Sequence, residues 1–161
     1  MESLLSMKPQ PTTSRTAFAA ACCLATLLFG AAAHAAGASS VSAENARVRW
    51  LPNNLPAAGY VTIENNGDKP VDLVKASSPD YGSVMLHQTV SNGSTSQMIM
   101  VDKATVPAHG VLNIAPGGYH FMLERAGHKI APGDTVKLEL QFSDGTTLDT
   151  PFKVKSPAEA E

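Results

Sequence analysis

The chain has little cysteine, few aromatic residues and no large excess of charge of either sign. Its two cysteines, Cys22 and Cys23, stand together in an apolar N-terminal run, and aromatic residues make up only 6% of the sequence. The charged residues are scattered singly, without the basic patch that binds nucleic acid or an anionic membrane surface. The composition therefore argues against a disulfide-stapled scaffold and against a nucleic-acid-binding protein.

The N-terminal segment has the pattern of a secretory signal peptide. Positive charges at Lys8 and Arg15 precede an apolar run over residues 16–33, and Ala33-His34-Ala35 is a small-residue cleavage site. We therefore predict a signal peptide over residues 1–35, cleavage before Ala36 and export of the mature chain. A transmembrane anchor is the alternative, but the run is at the short edge of the about 20 residues that a span needs.

Lipidation of Cys22 is disfavoured, because only six residues separate it from Arg15 and an apolar signal core needs more. Removal of the signal peptide leaves a mature chain without cysteine, which must be stabilised by its core. The remaining residues suffice for one domain with one core. They carry ten Lys and Arg against thirteen Asp and Glu, a formal charge of −3. We predict a folded domain over residues 36–155 and a disordered tail over residues 156–161.

The mature sequence is typical of an all-β domain. Short apolar runs alternate with turn signals such as "SNGS" at 91–94 and "APGG" at 115–118, and no segment has a convincing helical period. This pattern favours an antiparallel β-sandwich with one wet face per sheet. The predicted strands are residues 43–51, 59–65, 71–77, 83–90, 96–102, 111–114, 119–125, 135–142 and 147–154.

All four methionines of the mature chain lie between residues 85 and 122, although methionine usually fills gaps throughout a core. Alternate strand residues share a face. One face therefore carries Met85 with His87, another Met98 with Met100, and a third His120 with Met122. Each strand offers its opposite, apolar face to the core. A single such pair is most simply a surface histidine beside a half-buried methionine, but three strands with the same pattern indicate a common site.

Two imidazoles and two thioethers form a soft, neutral donor set that suits Cu(I). Ca²⁺ and Mg²⁺ require oxygen ligands, and Zn²⁺ favours thiolate, imidazole and carboxylate. A blue-copper redox centre needs a cysteine thiolate, which the mature chain lacks. The remaining histidines of the mature chain, His109 and His128, lie in predicted turns and are interpreted as solvated.

The spacing H-x10-M-x21-H-x-M, with "AAGYVTIENNGDKPVDLVKASSP" at 57–79 and "VPAHGVLNIAPGGYHFML" at 106–123, resembles the PCuAC family of periplasmic Cu(I) chaperones. The resemblance covers nearly the whole mature chain. It implies a cupredoxin-like antiparallel Greek-key β-sandwich. The ligands that it implies are His87, Met98, His120 and Met122, with Met100 as the alternative to Met98.

The resemblance also implies a copper-carrying protein that is not an enzyme. Its partner would be a copper-accepting protein, a cytochrome c oxidase subunit or one of its assembly factors, unless it buffers periplasmic copper. The exported chain is expected to be a monomer or a weak copper-bridged dimer, without stable membrane insertion. A metal-free β-sandwich for adhesion or assembly is the competing hypothesis.

Overall fold

The computed structural model describes residues 40–160, and within that range the chain forms ten β-strands and no helix. In chain order the strands are β1 (Val41–Arg49), β2 (Ala57–Asn65), β3 (Val71–Ser77), β4 (Tyr81–Ser91), β5 (Ser96–Met100), β6 (Ala104–Val106), β7 (Gly110–Ile114), β8 (Tyr119–Ala126), β9 (Thr135–Phe142) and β10 (Thr147–Lys155).

The strands are hydrogen-bonded in the order β5-β4-β8-β7-β2-β1-β10-β9-β3-β6, with an additional pairing of β8 with β2. β3 also lies beside β4, and β6 beside β7, so the two ends of this order approach each other and enclose a core. Most pairs are antiparallel, as predicted, but β1 with β10 and β7 with β8 are parallel. The structure is therefore a mixed rather than a purely antiparallel β-sandwich.

The core consists of the alternate apolar residues that the strand pattern predicts. On β9, residues Val136, Leu138, Leu140 and Phe142 are all buried. Phe121 of β8 and Phe152 of β10 are fully buried and meet edge to face, with ring centroids 6.3 Å apart. Such aromatic pairs stabilise a core beyond the area that they bury. β8, which carries two of the predicted ligands, is therefore anchored in the centre of the fold.

Two strands differ from the predictions. β6 was not predicted, because it has only three residues and forms by pairing with β3. The strand predicted over residues 96–102 was expected to turn Ile99 and Val101 to the core. Every residue of β5 is exposed, Ile99 by 42%, and Val101, just after the strand, is only partly buried. The reason is its position at the end of the strand order, where it pairs with β4 alone. The prediction of a core face on this strand is wrong.

The C-terminal segment, for which a disordered tail is predicted, forms a turn against β1. Ala160 is buried, and its carbonyl oxygen accepts a hydrogen bond of 2.7 Å from Nε of Arg47. The hydroxyl of Ser156 donates to the carboxylate of Glu159 across the turn. The predicted signal peptide lies outside the described residues and remains a prediction. Among the residues that the structure describes, no helix is long and apolar enough to cross a membrane.

Candidate metal centre

The predicted site lies on three neighbouring strands, β5, β4 and β8. In the register of these strands, His87 of β4 is directly opposite His120 of β8 on one side and Met100 of β5 on the other. Directly opposed residues of antiparallel strands point to the same face and lie within side-chain contact. The rings of His87 and His120 stand at 81° to each other, with centroids 5.7 Å apart. The two imidazoles are therefore close neighbours.

The methionines flank this row of histidines on the same face. Met85 lies opposite Met122 in the row before it, and Met98 lies opposite Thr89 in the row after it. Because Met98 is two residues from Met100 along β5, it is a diagonal neighbour of His87. The fold therefore brings the four predicted ligands and the two other methionines onto one face of a three-stranded segment.

The face is deep at one edge and open at the other. His120 is 7% exposed, whereas Met98 and Met100 are 61% and 65% exposed. His87, Met85 and Met122 are intermediate in exposure. The burial of His120 makes the β8 side of the site enclosed. Solvent reaches the face from the side of β5.

The turn before β8 orients His120. Gly117 has a left-handed backbone (φ 79°), and the amide of Gly118 donates to the carbonyl of Ala115 over 3.1 Å. The carbonyl of Gly118 accepts a hydrogen bond of 3.0 Å from the amide of Thr89, which ties the turn to β4. The same carbonyl lies 3.4 Å from Nδ1 of His120. With Nδ1 as the donor, Nε2 carries the lone pair that can bind a metal.

The surroundings of His120 favour the neutral form of its imidazole ring. Burial lowers the pKa of His120, the Gly118 carbonyl raises it to a smaller extent, and electrostatic interactions with His87 and Arg49 lower it further. A neutral ring is the form that ligates a metal. Nδ1 of His87 is buried and has no hydrogen-bond partner among the described residues. A buried, unpaired nitrogen is uncommon in a stable fold, and this one has no protein partner that a metal ion would have to displace.

Arg49 is a residue that the sequence did not associate with the site. The register places Arg49 of β1 opposite Ala58 of β2, which lies opposite Met122 of β8. Its Nε is buried without a hydrogen-bond partner among residues 40–160. The sequence does not predict that Arg49 lies near the histidines. Only the order of the strands in the sheet, with β2 between β1 and β8, places it there.

The two histidines interpreted as solvated lie elsewhere. Nε2 of His109 is 2.8 Å from the carboxylate of Asp68, and both side chains are exposed. Nε2 of His128 is 3.8 Å from the carboxylate of Asp80. Within residues 40–160 no three His, Cys, Asp or Glu side chains form a group that could hold a metal. The candidate centre combines two imidazoles with thioethers, a soft and uncharged donor set.

Comparison with known proteins places the chain in a family. Residues 41–154 match the model of the family described as "Putative lipoprotein LpqE-like". The putative lipoprotein Lxx21020 of Leifsonia xyli subsp. xyli is 31% identical over 119 residues, which cover 73% of this chain and 71% of the relative.

Solved structures share the fold. The copper-bound PCuAC domain from PmoF2 superposes with a TM-score of 0.62 at 22% identity, covering 74% of this chain and 95% of that domain. The solution structure of Cu(I)-bound DR1885 from Deinococcus radiodurans superposes with a TM-score of 0.57 at 34% identity, covering 78% and 83% of the two chains. The prediction of a cupredoxin-like β fold is confirmed. The chain belongs to the LpqE-like family of putative lipoproteins.

Proposed function

We propose that this protein is a periplasmic Cu(I) carrier, which binds the ion through His87, Met98, His120 and Met122 and passes it to a copper-accepting protein. Two comparisons support the proposal. DR1885, at 34% identity, has a structure with Cu(I) bound. The family description as putative lipoproteins indicates an exported protein of the cell envelope. The copper ion is the cargo in this function, and no bond in a substrate is made or broken.

The observation that carries the proposal is the cross-strand pair of His87 and His120 with methionine on both sides. Met122 precedes this row and Met98 follows it, because their register partners are Met85 and Thr89. An ion above the two rings would therefore have one thioether on each side and two nitrogen and two sulfur donors in all, a set that suits Cu(I). Met100 lies in line with the two histidines, a less suitable position for surrounding the same ion.

The donor set suits transfer as well as binding. Thioethers are neutral and weak ligands, so a thiolate-rich acceptor can displace them one at a time. The exposed side of the site, with Met98 on the edge strand β5, is where an acceptor could approach. Copper centres such as those of cytochrome c oxidase are the destination that we propose, and buffering of periplasmic copper is the alternative use of the same chemistry.

A Cu(I) titration of the purified protein against a competing chelator tests this function. We expect one equivalent to bind and the His120→Ala/Met122→Ala double variant to lose that binding. His109→Ala removes an exposed imidazole on another surface and serves as the matched control, which should bind as the unmodified protein does. Failure of the unmodified protein to compete with even a weak chelator would contradict the proposal and favour a metal-free sandwich for adhesion or assembly.

A further inference from the structure

A cavity lies at the opposite end of β4 and β8 from the histidine pair. It has a volume of about 440 Å³ and is bounded by the segment after β1, the start of β4 and the segment after β8. Tyr81, in its wall, is six residues from His87 along β4, or about 20 Å at roughly 3.3 Å per strand residue. The proposed copper function makes no use of this cavity, although its volume is within the range of small-molecule sites.

The inner wall of the cavity is apolar and aromatic. Ala57, Leu123 and Ile130 form its buried floor, and Tyr81 is 7% exposed. Trp50 follows β1 and is partly buried against the core. Its amide donates to the carbonyl of Lys155 over 3.0 Å, which holds the backbone at this point. These residues offer a flat, rigid surface to an apolar or aromatic body.

The rim of the cavity is positively charged. Arg125, His128 and Lys129 line it, and no Asp or Glu does. Among residues 40–160 neither Arg125 nor Lys129 forms an ion pair with a carboxylate. The nearby carboxylate of Asp80 lies 3.8 Å from His128 and also accepts a hydrogen bond from the amide of Lys137. Two cations without a protein counter-ion, beside an apolar wall, produce a local potential that attracts an anion.

The backbone places Arg125 at this rim. It has a left-handed conformation (φ 55°), which is uncommon for a residue with a long side chain. Its Nη2 donates to the carbonyl of Gly82 over 2.9 Å. A side chain at position 82 would place its Cβ 3.2 Å from Cβ of Arg125 and 3.3 Å from its Nε, so the glycine leaves the space in which the arginine lies. Such sparsely populated backbone conformations cluster at functional sites.

We propose that this cavity binds a small amphiphilic anion. Its apolar or aromatic body would pack against Trp50 and Tyr81, and its carboxylate or phosphate would pair with Arg125 and Lys129. A guanidinium presents a planar fork to either acid group, and an ammonium adds a second charge. This binding is independent of copper, because the site shares no side chain with the four proposed ligands.

The single tryptophan of the chain provides the readout, because Trp50 lines the cavity and no other indole contributes to the signal. The purified protein is titrated with phenyl phosphate, phenylacetate, inorganic phosphate and benzyl alcohol, while tryptophan fluorescence and the indole N–H resonance are recorded. We expect saturable changes with the two aromatic anions and much weaker binding of the other two probes. Comparable affinity for inorganic phosphate or for benzyl alcohol would overturn the amphiphilic part of the proposal.

Variants test the two cations separately. Lys129→Gln and Arg125→Gln should each weaken binding of phenyl phosphate on the order of tenfold, as expected for loss of one charge-assisted hydrogen bond. Lys153→Gln changes a lysine of β10 outside the cavity and is the matched control. If Arg125→Gln fails to fold, the affinity of Lys129→Gln alone tests the proposal. Lys129 is exposed and lies outside the strands, so its substitution should leave the fold intact. Unchanged affinity in Lys129→Gln, or no saturable change with either aromatic anion, would overturn the proposal.

Discussion

His87 on β4 and His120 on β8 are directly opposite each other, with ring centroids 5.7 Å apart. Thirty-two residues separate them in the chain, so their proximity depends on the pairing of β4 with β8. Nδ1 of His87 is buried without a hydrogen-bond partner among the described residues, and Nδ1 of His120 lies near the Gly118 carbonyl. This relationship between two rings is the basis of the predictions for metal binding.

The first prediction distinguishes the two exposed methionines of β5. Met98→Leu keeps a similar volume and removes the thioether, and we expect it to weaken Cu(I) binding on the order of tenfold or more. Met100→Leu is the matched variant on the same strand face, and it should change the affinity much less because Met100 is in line with the two rings. Competition with a Cu(I) chelator measures both. A larger loss in Met100→Leu would identify Met100 as the ligand.

The second prediction concerns stability and pH. Burial, opposed by the Gly118 carbonyl and assisted by His87 and Arg49, lowers the pKa of His120 below its ordinary value. The unfolded chain, with a histidine pKa of about 6.5, then binds the proton more readily than the folded chain does. The contribution of His120 to the free energy of unfolding is therefore complete above about pH 6.5 and declines as the pH falls from there to the folded pKa.

Urea unfolding of the metal-free protein between pH 7.5 and 5 measures this dependence. The His120→Gln variant has a polar side chain of similar size that does not titrate. The free energy of unfolding of this variant should therefore fall less over the same pH range. An equal decline in both proteins would show that other groups cause it.

The third prediction tests Arg49. Its positive charge lowers the pKa of His120, although burial of the ring is the largest cause. Arg49→Gln should therefore raise the pKa of His120, but not to the value of a free histidine. Arg47→Gln, on the same strand, removes a guanidinium that stacks 5.2 Å from the ring centre of Tyr60, and it should leave the pKa of His120 unchanged. Titration of the histidine ring protons by NMR measures the two variants.

The fourth prediction concerns the core beneath the site. Phe121 is fully buried between the two predicted ligands of β8 and packs against Phe152. Phe121→Ala should lower the free energy of unfolding by about 3–5 kcal/mol and weaken copper binding through loss of the strand geometry. Val111→Ala, at a position that is 46% exposed, should change stability by less than about 0.5 kcal/mol. Denaturant unfolding with both variants checks this, and a small effect of Phe121→Ala would contradict the assigned core.

The fifth prediction concerns the N-terminus of the exported protein. The sequence predicts cleavage before Ala36, whereas the family and the relative from Leifsonia xyli are described as putative lipoproteins. Intact-mass measurement of the protein recovered from the cell envelope distinguishes the two outcomes. We expect a chain that begins at Ala36 without added mass. A chain that begins at Cys22 with a lipid attached would show that the apolar run is a lipoprotein signal.

The sequence was sufficient to predict most of the strands, because a strand buries alternate side chains and each turn needs particular residues. The bounds of β3 and β9 agree with the prediction, and seven of the other strands are placed with shifts of at most two residues at either end. The short β6 could not be predicted, because three residues contain too little alternation to distinguish a strand from a loop. It exists because β3 supplies its hydrogen-bonding partner.

The alternation along β4, β5 and β8 was also enough to predict which side chains share a face, because this depends only on the two-residue period of a strand. Register, by contrast, was decided by the tertiary structure, because strand pairing is set by contacts between distant parts of the chain. Only the fold places Met100 rather than Met98 opposite His87, exposes β5 and buries His120. It also brings Arg49 to the histidine face and assembles the cationic cavity from segments near residues 50, 81 and 125.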